Sequence, residues 1–307
     1  MIPDRRHIQT EQPNEQSNRL DAMSITEALQ LMDKENIRAV QAVQAARAAI
    51  ATAAAWAAEV LSQRGRIIYV GAGTSGRLAV LDAAECPPTF SSDPTQVVAI
   101  IAGGDAALRQ SVEGAEDDRD AGARALDHLR PSGRDLVIGI AAGGTTPFVH
   151  GALSAARAAE ARTALIVCTD PAALSTSADL IIHLATGPEI ITGSTRMKAG
   201  TATKLTLNAI STLAMVQTGK VFGNMMVDVD AGKNAKLWDR AARIIETITG
   251  RSRPDSLALL QKADGRVKRA LVMHHHGVSA QEADHMLAQH NGRLKDLLPP
   301  RPPTRKS

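Results

Sequence analysis

The chain has 307 residues, of which 44% are hydrophobic and only 2% aromatic, and its net charge is +3. This length is enough for a large core, which alanine, valine, isoleucine and leucine must fill. No apolar run reaches the roughly 20 residues of a membrane span, and two cysteines are too few for a disulfide framework. A basic stripe with aromatic residues, typical of nucleic-acid binding, is absent. Since the first residues also lack an apolar signal segment, we expect a cytoplasmic protein without nucleic-acid or membrane partners.

The first sixty residues predict an arm followed by helix. Residues 1–20 are polar and favour an extended arm. Residues 24–62 follow a helical period, and Ser24 precedes Glu27 by three positions, the spacing of an N-terminal capping box. The alanine-rich part, 39–62, strongly favours helix.

Short apolar strands alternate with helices from residue 66 to about residue 221. We predict strands at 66–70, 97–102, 135–141, 163–168 and 180–184, and helices near 75–84, 106–129 and 147–161. This alternation is typical of an α/β fold whose parallel sheet is covered by helices on both faces. Such sheets bind ligands beyond the carboxyl ends of their strands.

Beyond the sheet the patterns are helical. We predict helices at 194–218, 233–249, 255–262, 265–276 and 279–290, and an unstructured end at the prolines 299, 300, 302 and 303. The predicted division of the chain is an N-terminal arm and helix at 1–62, a sheet domain at 63–225 that includes the helix 194–218, a helical C-terminal region at 226–298 and a tail at 299–307.

Two of the predicted strands end in similar loops. The first loop reads Gly71-Ala72-Gly73-Thr74-Ser75-Gly76, and the second reads Ala141-Ala142-Gly143-Gly144-Thr145-Thr146-Pro147. Each loop has small residues, then two neighbouring hydroxyls, then a helix, and a helix N-terminus favours phosphate. The pattern indicates either two loops that bind one phosphate or ordinary strand-to-helix turns.

The spacing Gly71-x-Gly73-x-x-Gly76 also matches the dinucleotide-binding fingerprint. A site of that kind needs an acidic residue at the end of the second strand to hold the ribose, and the first acid there, Asp105, comes later than expected. The hydroxyls of Thr74 and Ser75 suit a compact phosphate monoester. We therefore favour a sugar-phosphate site over a nicotinamide site.

Two acidic features follow the first loop. Glu85 precedes Cys86-Pro87-Pro88, where we expect the helix begun at Thr74 to end, about 15 Å from the phosphate loop. A helix C-terminus disfavours negative charge, so a carboxyl there is suited to general-acid chemistry, with a solvated helix end as the alternative. The acidic cluster at 112–118 is either an exposed helix face or the source of a second active-site carboxylate. The distance leaves open whether Glu85 serves its own site or that of a neighbouring subunit.

Hydroxyls and cations open the predicted helix at 194–218, where the chain carries Ser194, Thr195, Arg196 and Lys198. Cations at a helix start oppose the helix dipole, so we expect them to neutralise an anion such as phosphate or carboxylate. The run His274-His275-His276 is not expected to bind a metal, because consecutive helical side chains point about 100° apart.

These motifs together resemble the N-acetylmuramic acid 6-phosphate etherase family, bacterial lyases of the sugar isomerase (SIS) domain class. The similarity covers nearly the whole chain. It rests on Leu20–Ser24, Gly71–Pro88, Ile101–Gly104, Glu113–Asp117, Gly193–Ala202 and Gly219–Asp228.

The resemblance implies an activity and a role for several residues. Glu85 matches the family's proton-donating glutamate, Glu116 matches its second active-site glutamate, and Thr74, Ser75 and 194–198 match the loops near the phosphate. The family eliminates D-lactate from N-acetylmuramic acid 6-phosphate and adds water, giving N-acetylglucosamine 6-phosphate, in the recycling or catabolism of cell-wall amino sugars. It is typically a homodimer with sites near the subunit interface, and it uses no metal and no redox cofactor.

The second loop departs from the family pattern, because Thr145 stands where an arginine is usual. This removes a cation near the substrate and bears on affinity and specificity. Two alternatives remain at this point. One is a non-catalytic sugar-phosphate sensor similar to the glucokinase regulatory protein, and the other is an aldose–ketose isomerase of the same fold.

Overall fold

The computed structural model describes residues 8–229, 231 and 235–299. The chain forms two compact units. The first comprises the described residues of Met1–Glu85 and Asp93–Thr212, and the second comprises those of Cys86–Ser92 and Leu213–Ser307. The four-part division expected from the sequence stays a prediction.

The first unit begins with an arm and two helices. The arm, residues 8–22, contains three short 3-10 turns rather than extended chain. Helix α1 (Ile25–Ala45) carries the predicted capping box, in which Ser24 and Glu27 bond reciprocally. The helical region breaks at Ala46, and α2 (Arg47–Ser62) follows.

A five-stranded parallel sheet forms the centre of the first unit. Its strands are β1 (Ile67–Gly71), β2 (Val97–Ile101), β3 (Leu136–Ile140), β4 (Arg162–Val167) and β5 (Leu180–His183). Their order is β2-β1-β3-β4-β5, and every neighbouring pair is parallel. The order reverses between β1 and β3, and the crevice at such a reversal is where open α/β sheets bind ligands.

Helices cover this sheet, as near-continuous apolar strands require. The remaining ones in this part of the chain are α3 (Gly73–Phe90), α4 (Arg119–Asp127), α5 (Pro147–Ala158) and α6 (Lys198–Gln217). On one face, Val137 and Leu165 of the sheet pack in one buried cluster with Leu126 of α4 and Leu153 of α5. The predicted α/β fold class is confirmed.

The second unit has its own core. It contains a hairpin of β6 (Val221–Phe222) and β7 (Met225–Met226) and the helices α7 (Ala235–Thr249), α8 (Arg253–Lys262), α9 (Val267–His276) and α10 (Ala280–Gln289). Side chains from all four helices and from Phe222 form one buried apolar cluster. The four helices match the predicted ones within about two residues. The predicted tail at 299–307 lies, apart from Pro299, outside the described residues.

Three further element predictions need correction. The helix expected at 194–218 begins only at Lys198, so Ser194 and Thr195 precede it and do not open it. Helix α3 continues through Pro87 and Pro88 to Phe90, so Glu85 lies inside the helix and not at its end. The helix expected at 106–129 is a 3-10 turn at Gly104–Leu108, a loop holding the acidic cluster, and α4. None of the helices in the described residues is long and apolar enough to cross a membrane.

Candidate active site

The loop after β1 turns sharply into α3. Gly76 lies so close to its surroundings that a Cβ atom there would be 2.5 Å from Ile101 Cγ1 and 2.8 Å from the Gly71 carbonyl oxygen. The predicted fingerprint glycine therefore permits helix-to-strand packing. Because of this close packing, the first turn of α3, with Gly73, Thr74 and Ser75, lies at the carboxyl end of β1.

The loop after β3 makes the matching turn into α5. Gly144 has φ +71°, and a Cβ there would meet Leu174 at 2.5 Å, so only glycine fits. Thr146 is the N-cap of α5, but its side chain makes no capping hydrogen bond. Its hydroxyl is thus left for another partner, beside helix N–H groups that lack one.

A cavity of about 250 Å³ opens where these two loops meet. It is lined by Gly73, Thr74 and Ser75 from the first loop, Thr145 and Thr146 from the second, and Thr195 from the turn before α6. Glu116 of the acidic cluster also lines it, as do Thr10 and Glu11 of the N-terminal arm. The cavity lies at the crevice between β1 and β3 that the strand order predicts.

The structure thus brings together seven of the ten residues predicted for the site. Ser194 lies next to the lining residues Gly193 and Thr195 but is not itself among them. The described lining residues include no lysine or arginine. Hydroxyls and the N-termini of α3 and α5 are therefore the groups available to an anionic phosphate, since each N-terminus carries about half a positive charge.

The loop that carries Glu116 is held in place from both sides. The Arg77 guanidinium of α3 donates to the carbonyl oxygens of Leu108 (3.3 Å) and Gln110 (3.1 Å). The Glu116 carbonyl oxygen accepts from the Phe148 N–H of α5 at 3.0 Å. The Glu116 side chain is exposed to the cavity, so it can meet a ligand there.

Glu85 lies elsewhere. It is exposed on α3, about three turns from the first residue of that helix, and it does not line the cavity. Leu81, one turn before it, is 51% exposed. Within one described chain, Glu85 and Glu116 therefore do not face the same cavity.

Lys198, predicted to bind the substrate anion, has another partner. Its ammonium group is 2% exposed, forms an ion pair with the buried Glu35 of α1, and donates to the Pro188 carbonyl oxygen at 2.6 Å. The Asn14 amide donates to the same Glu35 carboxylate at 3.0 Å. Lys198 therefore connects α1 to the loop before α6, and it does not line the cavity.

Glu189 fixes the start of α6. Its carboxylate accepts from the backbone N–H groups of Lys198 (3.1 Å) and Ala199 (2.9 Å). Burial raises the pKa of Glu189, while those N–H groups and the Lys198 charge act in the opposite direction. Glu189 satisfies the α6 N-terminus, which leaves those of α3 and α5 for a ligand.

Sequence reasoning missed the part played by the N-terminal arm. Thr10 and Glu11 line the cavity, and Ile8 beside them is buried. These residues stand in a polar stretch without periodicity, and no local pattern marks them as part of a site. Only the contacts of their neighbours Gln9 and Asn14 with chain segments 160 and 174 residues away show where the arm lies.

No group of three or more His, Cys, Asp or Glu side chains in the described residues is arranged to hold a metal ion. His274 accepts from the Arg251 guanidinium at 3.0 Å, and His276 lies 3.0 Å from the Leu297 carbonyl oxygen. These two histidines therefore have protein partners.

A larger cavity, of about 650 Å³, lies within the second unit. Asp228 on its wall forms ion pairs with Lys220 and Lys268. Burial acts to raise the pKa of Asp228, but the two lysines outweigh it and the pKa is lowered. The wall also carries Arg266, Arg269 and Asp284, so cations outnumber carboxylates there.

Comparisons with known proteins match part of the chain and, separately, nearly all of it. Residues 49–157 match the family model of the glucokinase regulatory protein N-terminal SIS domain. Parts of the chain also resemble phosphoheptose isomerases from Neisseria gonorrhoeae (19% identity, TM-score 0.46) and Francisella tularensis (18%, 0.46), each over 62% of this chain and 98% of the other. Residues 49–157, which include strands of the parallel sheet, thus carry a domain of the SIS type.

Full-length relatives specify the family. The chain is 49% identical over 297 residues to the N-acetylmuramic acid 6-phosphate etherase of Gloeothece citriformis, covering 97% of both chains. It is 50% identical over 297 residues to that of Nostoc sp., covering 97% of this chain and 96% of the other. The chain belongs to the N-acetylmuramic acid 6-phosphate etherase family.

Proposed function

We propose that this protein is a carbon–oxygen lyase that cleaves the D-lactyl ether of N-acetylmuramic acid 6-phosphate, in the recycling or catabolism of cell-wall amino sugars. The observation that carries the proposal is the cavity at the β1–β3 crevice, where Glu116 faces the hydroxyls of both strand-end loops. Those hydroxyls and two helix N-termini suit the phosphate, and the carboxylate suits acid–base chemistry.

The reaction follows from the chemistry of the ring-opened sugar. Its C2–H bond is adjacent to an aldehyde, so a carboxylate can remove that proton while the C3–oxygen bond to lactate breaks. A carboxylic acid protonates the departing D-lactate oxygen. Water then adds at C3 of the unsaturated aldehyde and yields N-acetylglucosamine 6-phosphate. We assign Glu116 as the base or water activator and Glu85 as the acid, each worth about 10²- to 10⁴-fold in rate.

The position of Glu85, away from its own chain's cavity, supports the proposal of a homodimer. Glu85 is exposed beside Leu81 on α3, away from its own chain's cavity, while α1 exposes Ile25 and Leu29 to 82% and 53%. A second chain that covers these apolar side chains would remove them from water, which is favourable. We propose that Glu85 completes the site of a second copy, and that the dimer acts in the cytoplasm, where its two buried thiols suit a reducing compartment.

Mixing two inactive variants tests both assignments. Glu85→Gln and Glu116→Gln homodimers should each release D-lactate about 10²- to 10⁴-fold more slowly than the unchanged protein. Co-expressed in equal amounts, they should regain about 25% of the activity, because half the dimers then contain one intact site. A mixture of the double variant with the unchanged protein is the control for subunit exchange. No recovery in the first mixture would place both glutamates in one chain's site.

The match to the glucokinase regulatory protein model favours one rival, a sugar-phosphate sensor. A sensor binds the sugar phosphate but releases no lactate. Incubation of the pure protein with N-acetylmuramic acid 6-phosphate, followed by a D-lactate assay, decides between the two. Absence of lactate would refute the lyase proposal.

A further inference from the structure

The N-terminal arm forms one wall of the active-site cavity, and it is firmly attached there. Three hydrogen bonds connect it to loops at the carboxyl end of the sheet: Gln9 N–H to Thr169 Oγ1 (3.3 Å), the Asn14 amide to the Pro188 carbonyl oxygen (3.4 Å), and the Ser17 hydroxyl to the Ile190 carbonyl oxygen (2.7 Å). The wall is therefore part of the folded unit.

Glu11 differs from the buried carboxylates Glu35 and Glu189, and shares its exposure to the cavity with Glu116. Glu35 and Glu189 are buried and bonded, the first to Lys198 and the second to backbone N–H groups. Glu11 is exposed and lines the cavity. Its backbone N–H donates to the Ile8 carbonyl oxygen at 2.9 Å, but its carboxylate has no hydrogen bond or ion pair with any described residue. Its Oε2 lies 3.1 Å from the place where a Cβ of Gly193 would stand. Its acceptor oxygens are available to a ligand in the cavity.

The neighbouring residue gives an independent observation. Thr10 is fully buried on the same wall, and its hydroxyl has no hydrogen-bond partner in the described structure. Buried polar groups in native proteins are almost always paired, so an unpaired hydroxyl on a cavity wall calls for a partner such as a water or a ligand. Both residues of the wall therefore carry unused hydrogen-bonding capacity.

The charge of the cavity restricts what Glu11 can bind. A carboxylate repels the phosphate and the lactyl carboxylate of the substrate, so its favourable partners are neutral donors. The hydroxyls and the amide N–H of the sugar chain are such donors. We propose that Glu11 is a positioning residue that accepts a hydrogen bond from one of them, while the N-termini of α3 and α5 hold the phosphate. This inference rests on the proposed function for the identity of the substrate.

Binding measurements separate this role from a structural one. The ligands are N-acetylglucosamine 6-phosphate and inorganic phosphate, and calorimetry gives Kd for both. Glu11→Ala should weaken binding of the sugar phosphate about 10- to 100-fold, because a hydrogen bond to a charged acceptor is lost. Binding of inorganic phosphate should not weaken, because the carboxylate that is removed repels it. Glu11→Gln, which keeps an acceptor oxygen, should show a smaller loss, and Glu15→Gln, an exposed arm residue away from the cavity, should bind both ligands normally.

Several outcomes would overturn the proposal. One is equal affinity of Glu11→Ala and the unchanged protein for the sugar phosphate. Another is equal loss for both ligands, which indicates displacement of the arm. A third is a fall in kcat of more than about 10³-fold at unchanged Kd, which would make Glu11 an acid or base. If the unchanged protein releases no lactate but Glu11→Ala still loses affinity for the sugar phosphate, only the lyase proposal fails.

Discussion

Replacement of Lys198 by methionine removes one charge from a buried ion pair. Lys198 and Glu35 are 2% and 1% exposed, so neither charge can turn to water when its partner is lost. In Lys198→Met, Glu35 keeps the Asn14 amide and the Arg38 guanidinium, the latter 46% exposed and 2.8 Å away. Breaking a buried pair on one side destabilises a fold by about 3–5 kcal/mol. For a unit of roughly 200 residues this lowers Tm by about 6–20 °C.

The assay uses the distribution of the two tryptophans. Trp56 lies in the first unit, beneath the Arg162 guanidinium at 5.7 Å, and Trp238 lies in the second. In a Trp238→Phe parent, urea unfolding followed by fluorescence therefore reports the first unit alone. Lys198→Met and Glu35→Gln should each lower its free energy of unfolding.

The double variant gives the decisive comparison. Because neither charge remains, the double variant should lose less free energy of unfolding than the two single variants lose together. The difference should be at least about 2 kcal/mol. Strict additivity, or an unchanged stability of Lys198→Met, would refute the reasoning. It would return Lys198 to the role of a free cation that the sequence predicted.

Three further predictions concern other contacts. Thr10→Val should leave the Tm unchanged or raise it, because it replaces an unpartnered buried hydroxyl by a methyl group; a fall of several degrees in calorimetry would contradict this. Burial opposes the effect of Arg66 on Asp135, but hydrogen bonding to Arg66 is stronger and lowers the pKa of Asp135. The pair should therefore stabilise the fold fully above about pH 4 and lose that effect as the pH falls through the lowered pKa. Between pH 5 and 3, the free energy of unfolding in urea should depend less on pH for Arg66→Met than for the unchanged protein. Burial raises the pKa of the Cys168 thiol to about 12, so a thiol reagent should leave Cys168 unmodified in the native protein at pH 8 and modify it in urea, as peptide mass spectrometry can check.

The sequence predicts the sheet well because its signal is local. Each strand is an apolar run bounded by small or polar residues, as in Ile67–Gly71 and Leu136–Ile140, and burial on both faces requires that composition. The loops after these two strands have the same pattern of small residues and hydroxyls, which indicates either one shared phosphate or ordinary turns, and the structure places both loops at one cavity. Here local pattern and tertiary arrangement agree.

Other features depend on partners far along the chain. Lys198 has the signature of an anion-binding cation, and only the tertiary fold shows Glu35, 163 residues earlier, beside it. Pro87 and Pro88 predict the end of a helix, yet α3 continues to Phe90, and the Pro87 carbonyl still accepts from the Ser91 N–H at 2.9 Å. Proline removes a hydrogen bond from a helix but does not fix where the helix ends when the surroundings hold it.

The attachment of the arm has a consequence for the order in which the protein folds. Gln9 bonds to a residue 160 positions later and Asn14 to one 174 positions later. Contacts so distant in sequence form slowly, because a long loop must close before they contribute any free energy. During synthesis, the wall that carries Thr10 and Glu11 cannot close until the ribosome has released the chain beyond residue 190. The N-terminal arm, which is synthesised first, is thus among the last segments to dock, and the complete binding cavity forms only when it does.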